Sequence, residues 1–233
     1  MPLIELQNVS KIYPLGNQRV TALDAVSLAV AAGEFTVFAG PSGSGKTTLL
    51  NLIGCLDQPT QGTVLIDGRH VSDSSVRDLA DFRLRHIGFI FQSYNLIPVM
   101  TAAENAEFIL MLQKVPKPTR RRRIEALFQD LGIGGLENRR PNDLSGGQQQ
   151  RVAVARAMAA EPRVILADEP TANLDSKTSE DLLKLMRRLN EEKGTTFLFS
   201  SHDPQVIGLA RRVVQLKDGR LEADSAPIDL LEP

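Results

Sequence analysis

One cysteine, Cys55, stands alone among 233 residues, which excludes an intrachain disulfide and fits a reducing compartment. Long hydrophobic runs are missing too. No apolar stretch approaches the roughly 20 residues that a membrane-spanning helix needs. The amino terminus, MPLIELQNVSK, lacks the charged-then-apolar pattern of a signal peptide. An excess of charge of either sign is absent, with 27 Lys and Arg against 28 Asp and Glu. Electrostatics therefore gives no case for nucleic-acid binding, where a basic domain is expected. Internal repeats, low-complexity tracts and disordered linkers are likewise absent. These gaps point to a cytoplasmic chain, and any membrane role must come through a partner.

Hydrophobic residues make up 42% of the chain and charged residues 24%, ordinary values for a globular protein with a core of useful size. Apolar runs at Phe35–Ala39, Ile87–Phe91, Val164–Ala167, Thr196–Phe199 and Val213–Leu216 are bounded by Gly, Pro or charge. They are continuous rather than alternating, which predicts strands buried on both faces, as in a parallel sheet covered by helices. Leu49, Leu52, Ile53 and Leu56 have the spacing of an amphipathic helix, as do Ile124, Leu127, Phe128 and Leu131, and Leu182, Leu185, Met186 and Leu189. Strands alternating with helices predict an α/β fold. The start differs. Leu3–Val9 and Ala25–Val30 read as strands joined through Tyr13-Pro14-Leu15-Gly16-Asn17 without a helix, and Asp67-Gly68 and Asp218-Gly219 are hairpin dipeptides. A small antiparallel β layer is expected beside the parallel core. Residues 93–160 carry helix signals and few strand signals, so they are expected to form a helical subdomain, with 1–92 and 161–233 as the core.

The run Gly40-Pro41-Ser42-Gly43-Ser44-Gly45-Lys46-Thr47-Thr48 matches G-x-x-x-x-G-K-[ST]. A predicted strand precedes it and a helix, Thr47–Leu56, follows. Glycines let successive N–H groups face an anion, and the helix start adds partial positive charge. Lys46 would reach the β- and γ-phosphates, and Thr47 would offer its hydroxyl to Mg²⁺. Such a loop implies nucleotide phosphate binding and is shared by kinases, GTPases, helicases and motors. Further along, Val164–Ala167 delivers Asp168 and Glu169 at the carboxyl end of a strand, where open α/β sheets bind ligands. Asp168 suits the Mg²⁺ shell, and Glu169 suits polarising an attacking water. His202 follows the strand Thr196–Ser200 and could report on the γ-phosphate. Gln92 ends Ile87–Phe91 and could hold Mg²⁺ or water without adding charge. His70 and His86 have no such setting.

A second helix start is prepared for an anion at Leu144-Ser145-Gly146-Gly147-Gln148-Gln149-Gln150-Arg151, with Ser145 as N-cap and Gly146-Gly147 leaving the start bare. No second lysine or acidic pair accompanies it. LSGGQQQR resembles the signature of ABC-type ATPases, and the whole chain lines up with that family. Gly40–Thr48 resembles its Walker A loop, Gln92 its Q-loop glutamine, and Val164–Glu169 Walker B with the catalytic glutamate. Asn173-Leu174-Asp175 resembles the D-loop, His202 the switch histidine, and Tyr13 the aromatic that stacks on adenine. The resemblance implies a P-loop ATPase fold with ATP and Mg²⁺. It also implies a head-to-tail pair of copies, in which Ser145, Gly146 and Gly147 of one close over ATP held by the other.

GCLDQPTQG, IGFIFQSYNLIP and MTAAENA resemble the branch that serves macrolide-type efflux pumps and lipoprotein-releasing complexes, with cell-division ATPases as relatives. A transmembrane permease subunit is then expected to be powered by this chain, which would sit on the inner face of the membrane. Tyr94, Leu96, Ile97, Val99 and Met100 crowd apolar side chains beside Gln92, and the segment Gln92–Met100 is the expected partner contact. Ordinary burial in the helical subdomain is the other reading. Alternatives are a regulatory, cell-division-like membrane complex and a soluble ABC-type ATPase, although 233 residues leave no room for the tandem domains or long coiled coils of the latter. Arg120–Arg123 open a predicted helix, where cations oppose the macrodipole. They read as a solvated face, with anionic lipid or an acidic partner as the alternative. Cys55 reads as a small packing residue.

Overall fold

The short, fully buried strands in this chain end where Gly, Pro or charge interrupts the apolar runs. The computed structural model describes residues 1–16 and 18–225. Its elements begin with β1 (Ile4–Leu15), β2 (Gln18–Val30), β3 (Phe35–Ala39), α1 (Lys46–Ile53), β4 (Gln61–Ile66), β5 (Arg69–His70) and α2 (Val76–His86). They continue with β6 (Ile87–Ile90), α3 (Ala102–Leu112), α4 (Lys117–Asp130), α5 (Gly146–Met158), β7 (Val164–Asp168) and α6 (Ser176–Lys193). The chain then forms β8 (Thr196–Ser201), α7 (Pro204–Leu209), β9 (Arg212–Lys217) and β10 (Arg220–Ser225). Two compact units divide it. One combines Met1–Ala80 with the segment from Thr196 onward, and the other is Asp81–Thr195. No described helix is long and apolar enough to cross a membrane.

In the first unit an antiparallel sheet is ordered β2-β1-β4-β5. Ile4 pairs with Val30 on one side and Ile66 on the other, and all three are buried. β3 is paired in parallel with both β8 and β9, and β10 adds antiparallel to β9. Every residue of β3 is buried, as a strand without a polar face requires. α7 packs on β3, and α1 on β8, β2 and β4. The rings of Phe35, Phe197 and Phe199 meet with centroids 4.6 to 5.9 Å apart. Each such buried side chain stabilises the fold by about 1.5–3 kcal/mol. Both hairpin dipeptides have the positive φ that they favour: 53 and 74 at Asp67-Gly68, 48 and 77 at Asp218-Gly219.

In the second unit β6 and β7 run parallel, with Ile87 opposite Val164 and Ile90 opposite Ala167. α5 packs against β6, α3, α4 and α6. Its residues from Val152 to Ala155 are fully buried, and the small side chains there let several elements approach one helix. Thr101 opens α3 with a reciprocal cap, accepting from the Glu104 amide while the Glu104 carboxylate accepts from its own amide.

Several predicted boundaries move. α1 ends at Ile53 because the chain turns left-handed at Cys55, φ 54. Leu56 therefore leaves the helical stripe and is exposed, while Cys55 is buried as packing. β1 and β2 run well past the predicted Val9 and back before Ala25, which puts Tyr13 in a strand opposite Val20 rather than in a loop. Asn17, at the predicted connection, lies outside the described residues. α4 starts at Lys117, with Pro118 in its first turn, so Arg120–Arg123 lie inside the helix. Arg121 and Arg122 are exposed, as a solvated face requires, with Arg121 donating to Glu125 at 2.9 Å, whereas Arg120 donates to Glu107 at 3.0 Å and Arg123 to the Ala159 carbonyl at 3.0 Å.

One buried cation ties the two β layers of the first unit. Arg212 of β9 is 8% exposed and Glu34 6%. The guanidinium donates to Glu34 Oε2 at 3.0 Å, to the Ala29 carbonyl at 2.8 Å, and in fork geometry to Asp224 at 2.9 and 2.7 Å. The Asp224 hydrogen bonds outweigh burial and hold the guanidinium protonated. Arg212→Met would take the guanidinium from a buried Glu34 carboxylate, while the bonds from the Ala31 amide and the Thr36 hydroxyl remain. The expected loss is about 3 kcal/mol, read as a lower urea midpoint, and Glu34→Gln in the same chain should recover part of it. Equal midpoints for wild type and Arg212→Met would rule the network out as a support of the fold.

Candidate nucleotide-binding site

The phosphate loop leaves β3 at Gly40 and enters α1 at Lys46. Gly45 is the N-cap, at φ 103, with no side chain over the helix start. The first N–H groups of α1 therefore have no side-chain acceptor built in. The Lys46 ammonium is nearly buried and donates back to the Gly40 and Pro41 carbonyls at 2.7 and 2.8 Å. Neutral carbonyls are weak partners for a buried cation, and an anionic phosphate would replace them favourably. The buried Ser44 hydroxyl has no hydrogen-bond partner. Pro41, Ser42, Gly43 and Thr47 are exposed. The donors present fit a polyphosphate. Ala39 pairs with Ser201 across parallel strands, so His202, one residue past Ser201, and Gly40, one residue past Ala39, emerge side by side. Tyr13 is held elsewhere in this unit: its phenol donates to Asp57 Oδ2 at 2.7 Å, and Lys11 Nζ lies 4.9 Å from its ring centroid.

Burial raises the Tyr13 phenol above its ordinary pKa, helped by the hydrogen bond and charge of Asp57 and opposed by a hydrogen bond with Thr48. Burial also pushes the Asp57 carboxyl up, but the hydrogen bonds from Lys11, Tyr13 and the Gln58 amide, with the Lys11 charge, hold it below its usual range. The stability that Asp57 contributes is therefore present above the ordinary carboxylate pKa and is lost as pH falls through the depressed value.

The second unit gathers the other predicted residues. Ile90 pairs with Ala167, so Gln92 and the acids Asp168 and Glu169 follow from one edge of the β6–β7 pair. Glu169 has φ 46, a left-handed conformation that costs a non-glycine residue about 1–2 kcal/mol. Gln150, fully buried on α5, donates to the next carbonyl, Pro170, at 2.7 Å. Ser145 caps α5, with its hydroxyl accepting from the Gln148 backbone amide and the Gln148 side-chain oxygen, Oε1, accepting from the Ser145 backbone amide. Asn173 donates to the Gln92 carbonyl at 2.9 Å. Arg156, on α5, donates to the carbonyls of Tyr94 and Asn95, both left-handed at φ 59 and 50. Burial lowers the Arg156 pKa from its ordinary value. Asn105 pins Ile97 from below, accepting from its amide at 2.7 Å and donating to its carbonyl at 3.1 Å. Val99 is left outward, 75% exposed.

A family model described as ABC transporter matches residues 23–172. The chain belongs to the ABC transporter family. It is 50% identical over 94% of its length, and 94% of the relative's, to an uncharacterised ABC transporter ATP-binding protein of Thermotoga maritima. A macrolide export ATP-binding/permease protein MacB of Syntrophobacter fumaroxidans is 47% identical over 98% of this chain, which spans 32% of that relative. Among solved structures, the ATP-binding cassette MJ0796 in a dimeric post-hydrolysis state with ADP and Pi superposes with a TM-score of 0.88 at 45% identity, covering 95% of this chain and 97% of that one. The uncharacterised protein MJ0796 is from Methanocaldococcus jannaschii. The mixed α/β fold expected from the sequence is that of an ABC ATPase cassette, and the chain is an ATP-binding and ATP-hydrolysing subunit.

Sequence reasoning missed some of the cassette's supports. Gln150 shares a buried face with Val154 and Ala157, four and seven residues further on, and a glutamine inside an apolar helical stripe was a readable signal. Asp57 and Lys11 gave none, because their partner Tyr13 is distant from Asp57 in sequence. The glycines supply a test. A Cβ on Gly43, φ 79, meets open space, whereas one on Gly45, φ 103, would lie 2.5 Å from the Ala22 carbonyl oxygen. Gly43→Ala should cost about 1 kcal/mol and Gly45→Ala about 3 kcal/mol, measured by urea unfolding. Equal costs would mean that the loop is seated differently.

Proposed function

We propose that this ABC ATPase powers a separate permease of the efflux or lipoprotein-releasing kind, working as a head-to-tail pair of copies at the inner face of the membrane. The observation that carries the reading is the pair of unlike helix starts: α1 comes with Lys46, and α5, behind Ser145, has no lysine of its own. Such a chain makes sense if the start of α5 serves a nucleotide held by another copy. The dimeric state of MJ0796 supports the pairing. The MacB relatives, named ATP-binding/permease proteins, support the kind of partner. The pinned backbone of residues 94–100 with Val99 outward supports that segment as the contact.

In this reading Gly40 to Thr48 hold the phosphates, Lys46 exchanges its carbonyls for β- and γ-oxygens, and Tyr13 stacks on the adenine. Glu169 orients the attacking water and takes its proton, and His202 holds the γ-phosphate edge. Ser145 keeps its amide bonded to Gln148 and turns its hydroxyl proton, with the Gly146 and Gly147 amides, to the γ-phosphate of the other copy's ATP. Among the described residues no three His, Cys, Asp or Glu side chains cluster to cage a metal. Thr47, Gln92 and Asp168 would hold Mg²⁺ together with phosphate oxygens and water, and the ion would neutralise phosphate charge.

Glu169→Gln should keep ATP binding, cut hydrolysis by at least about a hundredfold and elute as a dimer in ATP; wild-type turnover would remove Glu169 as the base. Ser145→Arg mixed with Lys46→Ala should recover at most one working composite site, and hydrolysis independent of concentration in a proven monomer would end the paired reading. Purification with the native membrane partner tests the branch. A permease with a large extracytoplasmic domain is expected, and a partner that only regulates another enzyme would replace transport as the output.

A further inference from the structure

Tyr13 is held in place from the exit of the phosphate-loop helix. Its phenol donates to Asp57, shortly past the end of α1, at 2.7 Å. Asp57 is itself tied down. Its Oδ1 accepts from Lys11 Nζ at 2.6 Å and from the Gln58 amide at 2.7 Å, and Lys11 also donates to the Gln58 carbonyl at 2.7 Å. The Lys11 ammonium covers one face of the ring, so a base has the other face to stack on. A tyrosine near the tip of a two-stranded ribbon would otherwise swing with the ribbon, and its separation from the phosphate loop would vary.

We infer that Asp57, acting through the Tyr13 phenol, is a positioning residue that sets the spacing between the base-stacking ring and the phosphate loop. The inference rests on the reading that Tyr13 stacks on the adenine. A ring held at a fixed spacing favours a ligand that carries a base at the matching distance from its phosphates, and gives nothing to a bare polyphosphate. The contribution is thus visible as a ratio of affinities, which a general loss of folding does not imitate.

The test is calorimetric binding of ATP and of inorganic tripolyphosphate, each with Mg²⁺, to the full chain and to Asp57→Ala, Tyr13→Phe and Tyr13→Ala, with thermal melting of each variant. Asp57→Ala and Tyr13→Phe should each weaken ATP by about three- to tenfold and leave tripolyphosphate within about twofold. The double variant should be no weaker than either single variant, because both remove the same bond. The KM for ATP should rise with kcat retained. Asp57→Ala that weakens both ligands equally, or neither, overturns the inference. Tyr13→Ala separates the two ideas. Unchanged ATP affinity in that variant removes the stacking reading itself, whereas selective loss there without loss in Asp57→Ala and Tyr13→Phe leaves stacking intact and removes positioning.

Discussion

Ala39 pairs with Ser201, and Ile90 with Ala167, each across two parallel strands, and residues that the sequence marks out for chemistry follow within two positions of each pair. Parallel pairing makes neighbouring strands end on the same side, so whatever follows them is gathered without further design. In the first unit that brings Gly40 and His202 together. In the second it brings Gln92 beside Asp168 and Glu169. Burial holds the register: β3 and β8 have no exposed residue, and a slip by one position would reverse the face of every side chain.

The gathered residues are held in conformations that the chain does not adopt freely. Glu169, Tyr94 and Asn95 are left-handed without being glycine, and side chains of α5 hold the backbone at or beside them: buried Gln150 on the Pro170 carbonyl, and half-buried Arg156 on those of Tyr94 and Asn95. Strain of this kind persists where surrounding bonds over-determine it. The phosphate loop shows the opposite economy. Lys46 satisfies itself on Gly40 and Pro41, so the loop is curled before any phosphate arrives and binding need not order it from a random state.

What could be read in advance was local. Phe35–Ala39 is a strand over the range that its apolar run gives, Asp67-Gly68 makes its turn, and Ser145 caps α5 with Gln148, because each depends on neighbours a few residues away. Tyr13 was misread as loop because Pro14 and Gly16 punctuate the sequence there, yet β1 continues beyond Tyr13 by pairing with β2. Cross-strand bonds outweighed local preference. Arg120–Arg123 looked like a free cationic run for a related reason: Glu107 and the Ala159 carbonyl, which take Arg120 and Arg123, come from elements that only packing brings near. The role of Arg156 required the same non-local knowledge.

Arg156 shows why the second unit should move as one piece. Its guanidinium leaves α5 and grips two successive carbonyls after Gln92, while Asn173 holds the Gln92 carbonyl itself and Asn105 holds Ile97. A force applied at Val99 would meet no loose backbone between it and the helix that Ser145 caps. Either those bonds break, at the cost of taking two acceptors from a half-buried guanidinium, or α5 follows. The second course keeps every bond. Residues 94 and 95 are thus tied to the helix that Ser145 caps by the same contacts that hold Tyr94 and Asn95 left-handed.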